Sequence, residues 1–333
     1  MSIGLPVYNG GTYLDAALDS LLAQDFADFE LIISDNASTD RTAEICDDYA
    51  RRDARIRVVR NASNVGSPAN FNQVFELATA PYFMWAADDD LWEPGYVRLC
   101  LAALQASPDA VLACTSLRFI DPDGRQIDID YSHLDNPELT SHSPSRRLQG
   151  LLRRWGWYQM YGLMRADALR RTRLLRNIYG ADVALTVELA LLGPFVKVPD
   201  TAFWYRQFPS KTEADRAARQ GYDGLGSSAS RFTGTQLQEG ISGAIMASRL
   251  PRLTKAALVA QVYMTTSVID PVWRNRVYPE LRPRLTRSLR ERRFRVAAKC
   301  LVLAGVIRSI RLGTGVKRGA GRLARRVIGR QPS

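Results

Sequence analysis

The stretch SIGLPVYNGGTYLDAALDSLLAQDFADFELIISDN, residues 2–36, decides the fold. Residues 2–5 read as a short apolar strand that Pro6 closes. Residues 12–24 read as a helix, because Leu14, Leu18, Leu21 and Leu22 recur at i, i+4, i+7 and i+8 on one face. Residues 29–34, FELIIS, form a compact apolar run of strand length. The same alternation continues outward. Ser38, Thr39 and Asp40 supply N-cap chemistry for a helix over 41–53, and residues 56–60 make a third strand. A helix over 68–78 carries proline in its first turn. A fourth strand over 82–86, a helix over 95–106 and a fifth strand over 110–117 follow. Short strands separated by helices predict βαβ units, right-handed crossovers and an α/β fold with a mostly parallel sheet flanked by helices. Ligands of such sheets lie beyond the carboxyl ends of the strands, so loops 6–11, 35–40 and 88–92 carry the information.

Past residue 118 the alternation breaks. Asp121, Pro122, Asp123 and Gly124 read as a tight turn between short strands, and residues 126–147 as a polar loop. Residues 155–161 are rich in aromatics, and 182–192 read as a buried helix. Two strand-like runs follow at 195–198 and 202–205. Residues 209–235 are polar and bear Gly and Ser, the composition of a linker or loop; from 236 onward the pattern is helical and increasingly basic.

Composition removes several classes of function. The chain has 333 residues, 46% apolar and 24% charged, ordinary values for a globular protein and far from disordered or low-complexity sequence. Its four cysteines form no CxxC pair, so neither a zinc knuckle nor a disulfide scaffold is indicated, in keeping with a reducing compartment. Only His133 and His142 are present, and no GxSxG element accompanies them. A histidine-rich metal site is thereby excluded, and the general base of an enzyme with this composition is a carboxylate. The net charge of +11 is uneven: residues 281–333 hold 16 Lys/Arg and one acid, whereas residues 1–280 hold 29 bases and 33 acids. An acidic body argues against a nucleic-acid-binding core. No run approaches the ~18 apolar residues of a membrane span, and no charged start followed by an apolar run marks a secretory signal. The expectation is a cytoplasmic protein, peripheral at the inner face of the plasma membrane through its tail.

Asp88, Asp89 and Asp90 are consecutive and follow an apolar strand. Three adjacent carboxylates repel one another unless a cation offsets them, and hard divalent cations take oxygen ligands, often together with substrate phosphates. A solvated acidic turn is the plainer alternative. The strings GLPVYNG (4–10), ISDNASTDRT (33–42), NVGSPANFN (64–72) and AADDDLWEPGYV (86–97), in this order, resemble family 2 glycosyltransferases of the GT-A fold. The resemblance is dense over residues 2–117 and looser at YGLMR (161–165), GADVALTVELALLG (180–193) and YRQFPS (205–210).

That resemblance implies inverting transfer of a sugar from a nucleotide diphosphate, most often UDP, to an acceptor hydroxyl of a cell-surface polysaccharide or glycolipid. It divides the chain into a GT-A domain over 1–208, with a nucleotide-binding half (1–117) and an acceptor and base half (118–208). Pro6 and Tyr8 would flank the nucleotide base, Asp35 would hydrogen-bond it, and Asn64, Gly66 and Asn70 would shape the loop beside it. Asp88 and Asp89, with Asp90 beside them, match the family's DxD-type element for Mn²⁺ or Mg²⁺, Asp89 being the foremost ligand and Asp88 also facing the nucleotide. Asp182 maps to the catalytic base, although an aspartate opening a helix is equally an N-cap. Arg206 would approach the diphosphate. Trp155, Trp157, Tyr158 and Tyr161 would form a sugar-stacking wall, or else core. Ala87, Ala181 and Phe208 depart from the family's usual residues. They leave a non-catalytic nucleotide-sugar or membrane-binding protein as the second reading. A nucleotidyltransferase is the third, without the basic glycine-rich first loop such enzymes use. Residues 282–330 mix arginines with apolar residues, a pattern suited to anionic membrane surfaces, to a solvated basic surface, or more remotely to nucleic acid.

Overall fold

The computed structural model describes residues 1–131, 136–153, 158–178, 180–208 and 234–264. Its first half is β1 (Ser2–Val7), α1 (Leu14–Leu22), β2 (Glu30–Asp35), α2 (Thr42–Arg52), β3 (Ile56–Arg60), α3 (Ser67–Glu76), β4 (Tyr82–Trp85), β5 (Leu91–Trp92), α4 (Tyr96–Ala106) and β6 (Leu112–Ile120). Then come β7 (Gln126–Ile127), α5 (Pro144–Arg153), β8 (Leu163–Arg165), α6 (Ala166–Arg170), α7 (Ala181–Leu192), β9 (Phe195–Arg206), α8 (Gly234–Ala247) and α9 (Arg252–Met264). Single 3₁₀ turns lie at Pro137–Thr140 and Tyr158–Tyr161. Of the expected linker or loop over 209–235, residues 209–233 lie outside the described residues, as does the 282–330 tail.

The sheet runs β3-β2-β1-β4-β8-β6-β9-β5, with β7 paired to β6. Strands β3, β2, β1 and β4 are parallel. The three-residue β8 wedges antiparallel between β4 and β6, and β6 and β9 are parallel. From β1 the chain steps outward to β2 and β3, then crosses back to β4 on the other side of β1. That reversal is the topological switch point where open α/β sheets bind ligands, and it opens between the carboxyl ends of β1 and β4.

Two strand readings change. Pro6 does not end β1, which continues to Val7 in register with Asp35. The last bond toward β4 is Ala86 N–H to Gly4 O at 2.9 Å. Backbone groups facing that side recur every second residue, so the N–H that Pro6 lacks falls beyond the end of the pairing. The runs at 195–198 and 202–205 are one strand. Its register against β6 jumps from Thr115↔Val198 to Ser116↔Ala202, and the three residues between loop out. Such a bulge re-aims the rest of the strand, here toward the loop after β4. The stretch 126–147 also holds β7, a 3₁₀ turn and the start of α5.

Helices cover both faces of the sheet. Leu14, Leu18 and Leu21 of α1 and Val97, Cys100 and Leu104 of α4 fill one side. Val74 and Phe75 of α3, Leu148, Leu151 and Leu152 of α5 and most of α7 fill the other. Leu237, Ile241 and Ile245 of α8 and Leu258 and Val262 of α9 join that second core. Buried Arg147 ties α5 to the carboxyl end of α7, donating from Nε to Ala190 O at 2.6 Å. Among the described residues no carboxylate pairs with it, and burial lowers its pKa to about 10. Carbonyls at a helix C-terminus supply the compensating negative potential. Cys46, Cys100 and Cys114 are buried, and burial pushes the Cys46 thiol up to about 12. Among the described residues no helix is long and apolar enough to cross a membrane.

Candidate active site

The loops after β1 and β2 are clasped to each other. Asn9 N–H donates to Ser38 Oγ at 2.9 Å, and Thr39 N–H returns to Asn9 Oδ1 at 2.8 Å. Asn9 and Ala37 both take positive φ, 54° and 61°, a strained backbone that this exchange holds in place. Asp40 receives Gly11 N–H at 3.0 Å on one oxygen and the N–H of Thr42, first residue of α2, on the other. It therefore serves the helix start, as its spacing suggests, and also the first loop.

Pro6 is buried and Tyr8 half-buried at the end of β1. Asp35 ends β2 only 2% exposed. Its Oδ1 accepts Ser38 N–H at 3.0 Å, and Arg60 Nε stands 3.6 Å from Oδ2. Arg60 itself is anchored on Asp47 at 2.8 Å. Beside this carboxylate lies a network of amides that the sequence reading noticed only in part. Asn64 Oδ1 accepts from Asn36 Nδ2 and from Gly66 N–H, each at 2.8 Å. Asn61 Nδ2 donates to Asn36 Oδ1 at 3.1 Å and to Asn70 Oδ1 at 3.2 Å. Buried Asn70 also receives Ser34 Oγ–H at 2.6 Å. Asn36 and Asn61 carried no signal beyond residue type. Gly66 precedes α3 with φ 87°, and nothing stands within 4 Å of where a side chain would project.

The acidic loop divides into two halves. Asp88 and Asp89 are half-buried, whereas Asp90 is 1% exposed. Asp90 Oδ1 accepts the backbone N–H of Arg206 at 2.8 Å, and its Oδ2 is buried without a hydrogen-bond partner. Burial, and after it the charge of Asp89, pushes the Asp90 carboxyl well above the ordinary carboxylate range. Arg206 is 4% exposed and holds the loop from below: Nε donates to Asp89 O at 2.7 Å and Nη1 to Asp121 O at 3.0 Å. Its guanidinium lies 4.6 Å from the Tyr13 ring centre, and Tyr13 contacts Phe208 at 5.6 Å.

Gly10 fits flush against this loop. A Cβ there would lie 2.2 Å from Asp88 Oδ2 and 2.6 Å from Val7 Cγ2. Gly10→Ala should displace the Asp88 carboxylate and crowd the end of β1. Overpacking of this kind costs about 1–3 kcal/mol. A lowered melting temperature accompanied by weakened nucleotide binding is the expected result, and wild-type affinity would show that Asp88 need not hold this position.

Asp182 is the second residue of α7, not its cap; left-handed Gly180 (φ 71°) precedes the helix. The carboxylate accepts Val183 N–H at 2.8 Å, and burial raises its pKa above the ordinary 3.8. Tyr161 and Tyr205 lie within electrostatic reach of both Asp182 and the acidic loop. Both phenols are pushed up, first by burial and then by surrounding groups that include Asp90, Asp89 and Asp182. Tyr161 is fixed by stacking on Phe203 at 5.2 Å and by Tyr96 Oη–H on its carbonyl at 2.8 Å. Tyr158 is 5% exposed and packs in the core; Trp155 and Trp157 lie outside the described residues. Among the described residues, no group of three or more His, Cys, Asp or Glu is arranged to hold a metal.

A model of the glycosyl transferase family 2 matches residues 2–178, so the chain belongs to that family. Chondroitin synthase of Pasteurella multocida is 33% identical over 134 residues, 40% of this chain and 14% of that protein. Staphylococcus aureus TarS 1–349 in complex with UDP superposes with a TM-score of 0.61 at 16% identity, covering 94% of this chain and 91% of the other. A Pyrobaculum calidifontis mannosyltransferase in complex with GDP-Man and Mn²⁺ gives 0.51 at 14% identity, over 92% and 85%. These structures share the fold expected of the sequence, helices on a central, mostly parallel sheet. The chain spans 51%, 66% and 26% of the length of three curated relatives it matches.

Proposed function

We propose that the protein transfers a sugar, with inversion, from a nucleotide diphosphate sugar, UDP-linked, to an acceptor hydroxyl of a cell-surface polysaccharide or glycolipid. One observation carries the reading: the half-buried acidic loop at the carboxyl end of β4, with Asp88 and Asp89, and Asp182 at the start of α7 stand around the same partly buried tyrosines, Asp89, Asp90 and Asp182 all lying within electrostatic reach of Tyr161 and Tyr205. Carboxylates suited to leaving-group departure thus stand near a separate carboxylate suited to proton removal. Asp35 and the Asn36–Asn61–Asn64 network line the β1–β2 side, where the nucleoside would lie.

Within this arrangement Asp182 takes the proton of the acceptor hydroxyl as its oxygen bonds the anomeric carbon. The bond from that carbon to the diphosphate breaks, and its electron pair leaves with the nucleoside diphosphate. A carboxylate whose pKa is raised is, in its ionised form, a stronger base. Asp88 and Asp89 suit a divalent cation, because their oxygens are hard donors and the pocket concentrates negative charge that a diphosphate would add to. Asp90, committed to Arg206 N–H, supports these two from behind. Mn²⁺ or Mg²⁺ bound there would offset the charge that grows on the leaving diphosphate.

The measurement that tests the reading is calorimetric titration with UDP, GDP and dTDP, each with Mn²⁺ and then with EDTA. UDP should bind, and EDTA should weaken it. Failure of all three nucleotides to bind would favour a non-catalytic fold relative.

A further inference from the structure

Three large apolar side chains stand exposed among the described residues: Val65, Met246 and Leu253. Val65 belongs to the loop beside the nucleoside side of the site. The other two fall together, at the tip where α8 turns into α9, and they are 58% and 86% exposed. Single exposed apolar residues need no explanation, but a group on one projecting tip does.

The tip is a built turn. Ser248 N–H bonds Ala244 O at 3.1 Å, and Ser248 Oγ–H bonds Ile245 O at 2.6 Å. Leu250 packs against the core between the exposed pair, and Leu258 and Val262 anchor the following helix. Lys255 Nζ reaches back to Met246 O at 2.9 Å and locks the two helix ends together. Met246 and Leu253 are thus held outward by an ordered scaffold.

Charge supplies the second observation. Residues 240–264 contain no acid, and their only cations, Arg249, Arg252 and Lys255, all lie on this tip. The rest of residues 1–280 is net acidic, so the body as a whole repels an anionic surface while this point attracts one. Apolar side chains projecting among cations match the boundary between lipid headgroups and acyl chains. A soluble polyanion would use the cations and leave the apolar pair without a role. We infer that the α8–α9 tip is a contact site for an anionic membrane surface, Met246 and Leu253 entering the acyl boundary and Arg249, Arg252 and Lys255 pairing with lipid phosphates. This site lies outside the basic tail and does not rest on the catalytic reading.

Co-sedimentation of the full chain with phosphatidylglycerol–phosphatidylcholine vesicles, against phosphatidylcholine alone, tests it. Met246→Ser with Leu253→Ser, and separately Arg249→Ala with Arg252→Ala, should each lower partition onto the anionic vesicles. The arginine pair should lower it about fivefold per charge, the equivalent of about 1 kcal/mol each. These side chains are exposed, so melting temperatures should stay at wild type and confirm that the variants fold. Unchanged partition of the Met246/Leu253 variant overturns the site. Loss confined to the arginine variant, with duplex DNA displacing wild type from vesicles, equally overturns it and marks the tip as a polyanion surface.

Discussion

Asp182→Asn should abolish sugar transfer while leaving nucleotide affinity intact. The substitution preserves shape, and the amide oxygen can still accept Val183 N–H at the start of α7. What disappears is the capacity to take a proton. Removing a positioned general base costs roughly 10²–10⁴ in rate, so kcat at saturating donor and acceptor is the quantity to measure. Wild-type activity should also fall with acid as pH drops through the raised pKa of Asp182, because only the ionised carboxylate accepts the proton. Stability should move the other way. The folded state raises this pKa above 3.8, so it binds the proton more tightly than the unfolded chain does. The associated stability is present below the ordinary carboxylate pKa and is lost as pH rises through the folded value. At neutral pH the Asn variant should therefore melt higher than wild type. Full retained activity would move the base to another residue.

Asp89→Ala should remove the metal dependence of nucleotide binding. Loss of a group that only orients a metal ligand already costs roughly 10–100-fold in affinity, and loss of a direct ligand should exceed that. The comparison with Asp90→Asn makes the test specific. That variant keeps an acceptor for Arg206 N–H and deletes a buried carboxyl whose Oδ2 has no partner. It should leave UDP affinity in Mn²⁺ within a few-fold of wild type. Equal UDP affinity with Mn²⁺ and with EDTA in wild type, unchanged by Asp89→Ala, would remove the metal from the proposal.

Much of the sheet was legible because its strands are short apolar runs with turn residues between them. The third strand, Ile56–Arg60, has the bounds its sequence suggests. The helix over α4 begins one residue later than its pattern implies, at Tyr96. β8 was not legible: three residues carry no periodicity, and their place between β4 and β6 is set by pairing with strands far away in the chain. Nor was the continuity of β9, because a bulge interrupts the alternation that would have marked it. The acidic loop and Asp182 stood out through local order and spacing. Gly10 against Asp88, Arg60 behind Asp35 and the amide network did not, since each depends on side chains meeting across loops.

By itself, the sequence determined the strand–helix alternation, the carboxylates available for chemistry and the family to which residues 2–178 belong. All of these are written in local pattern, in apolar period and in short ordered motifs. Only the tertiary structure decided how the three aspartates differ. Asp90 turns inward to accept the Arg206 N–H at the end of β9, beyond the bulge, while Asp88 and Asp89 stay half-buried. It also decided that Arg206 spends its donors on the carbonyls of residues 89 and 121. A buried guanidinium must satisfy its hydrogen bonds with whatever the fold brings to it, and no pattern along the chain records which groups those will be.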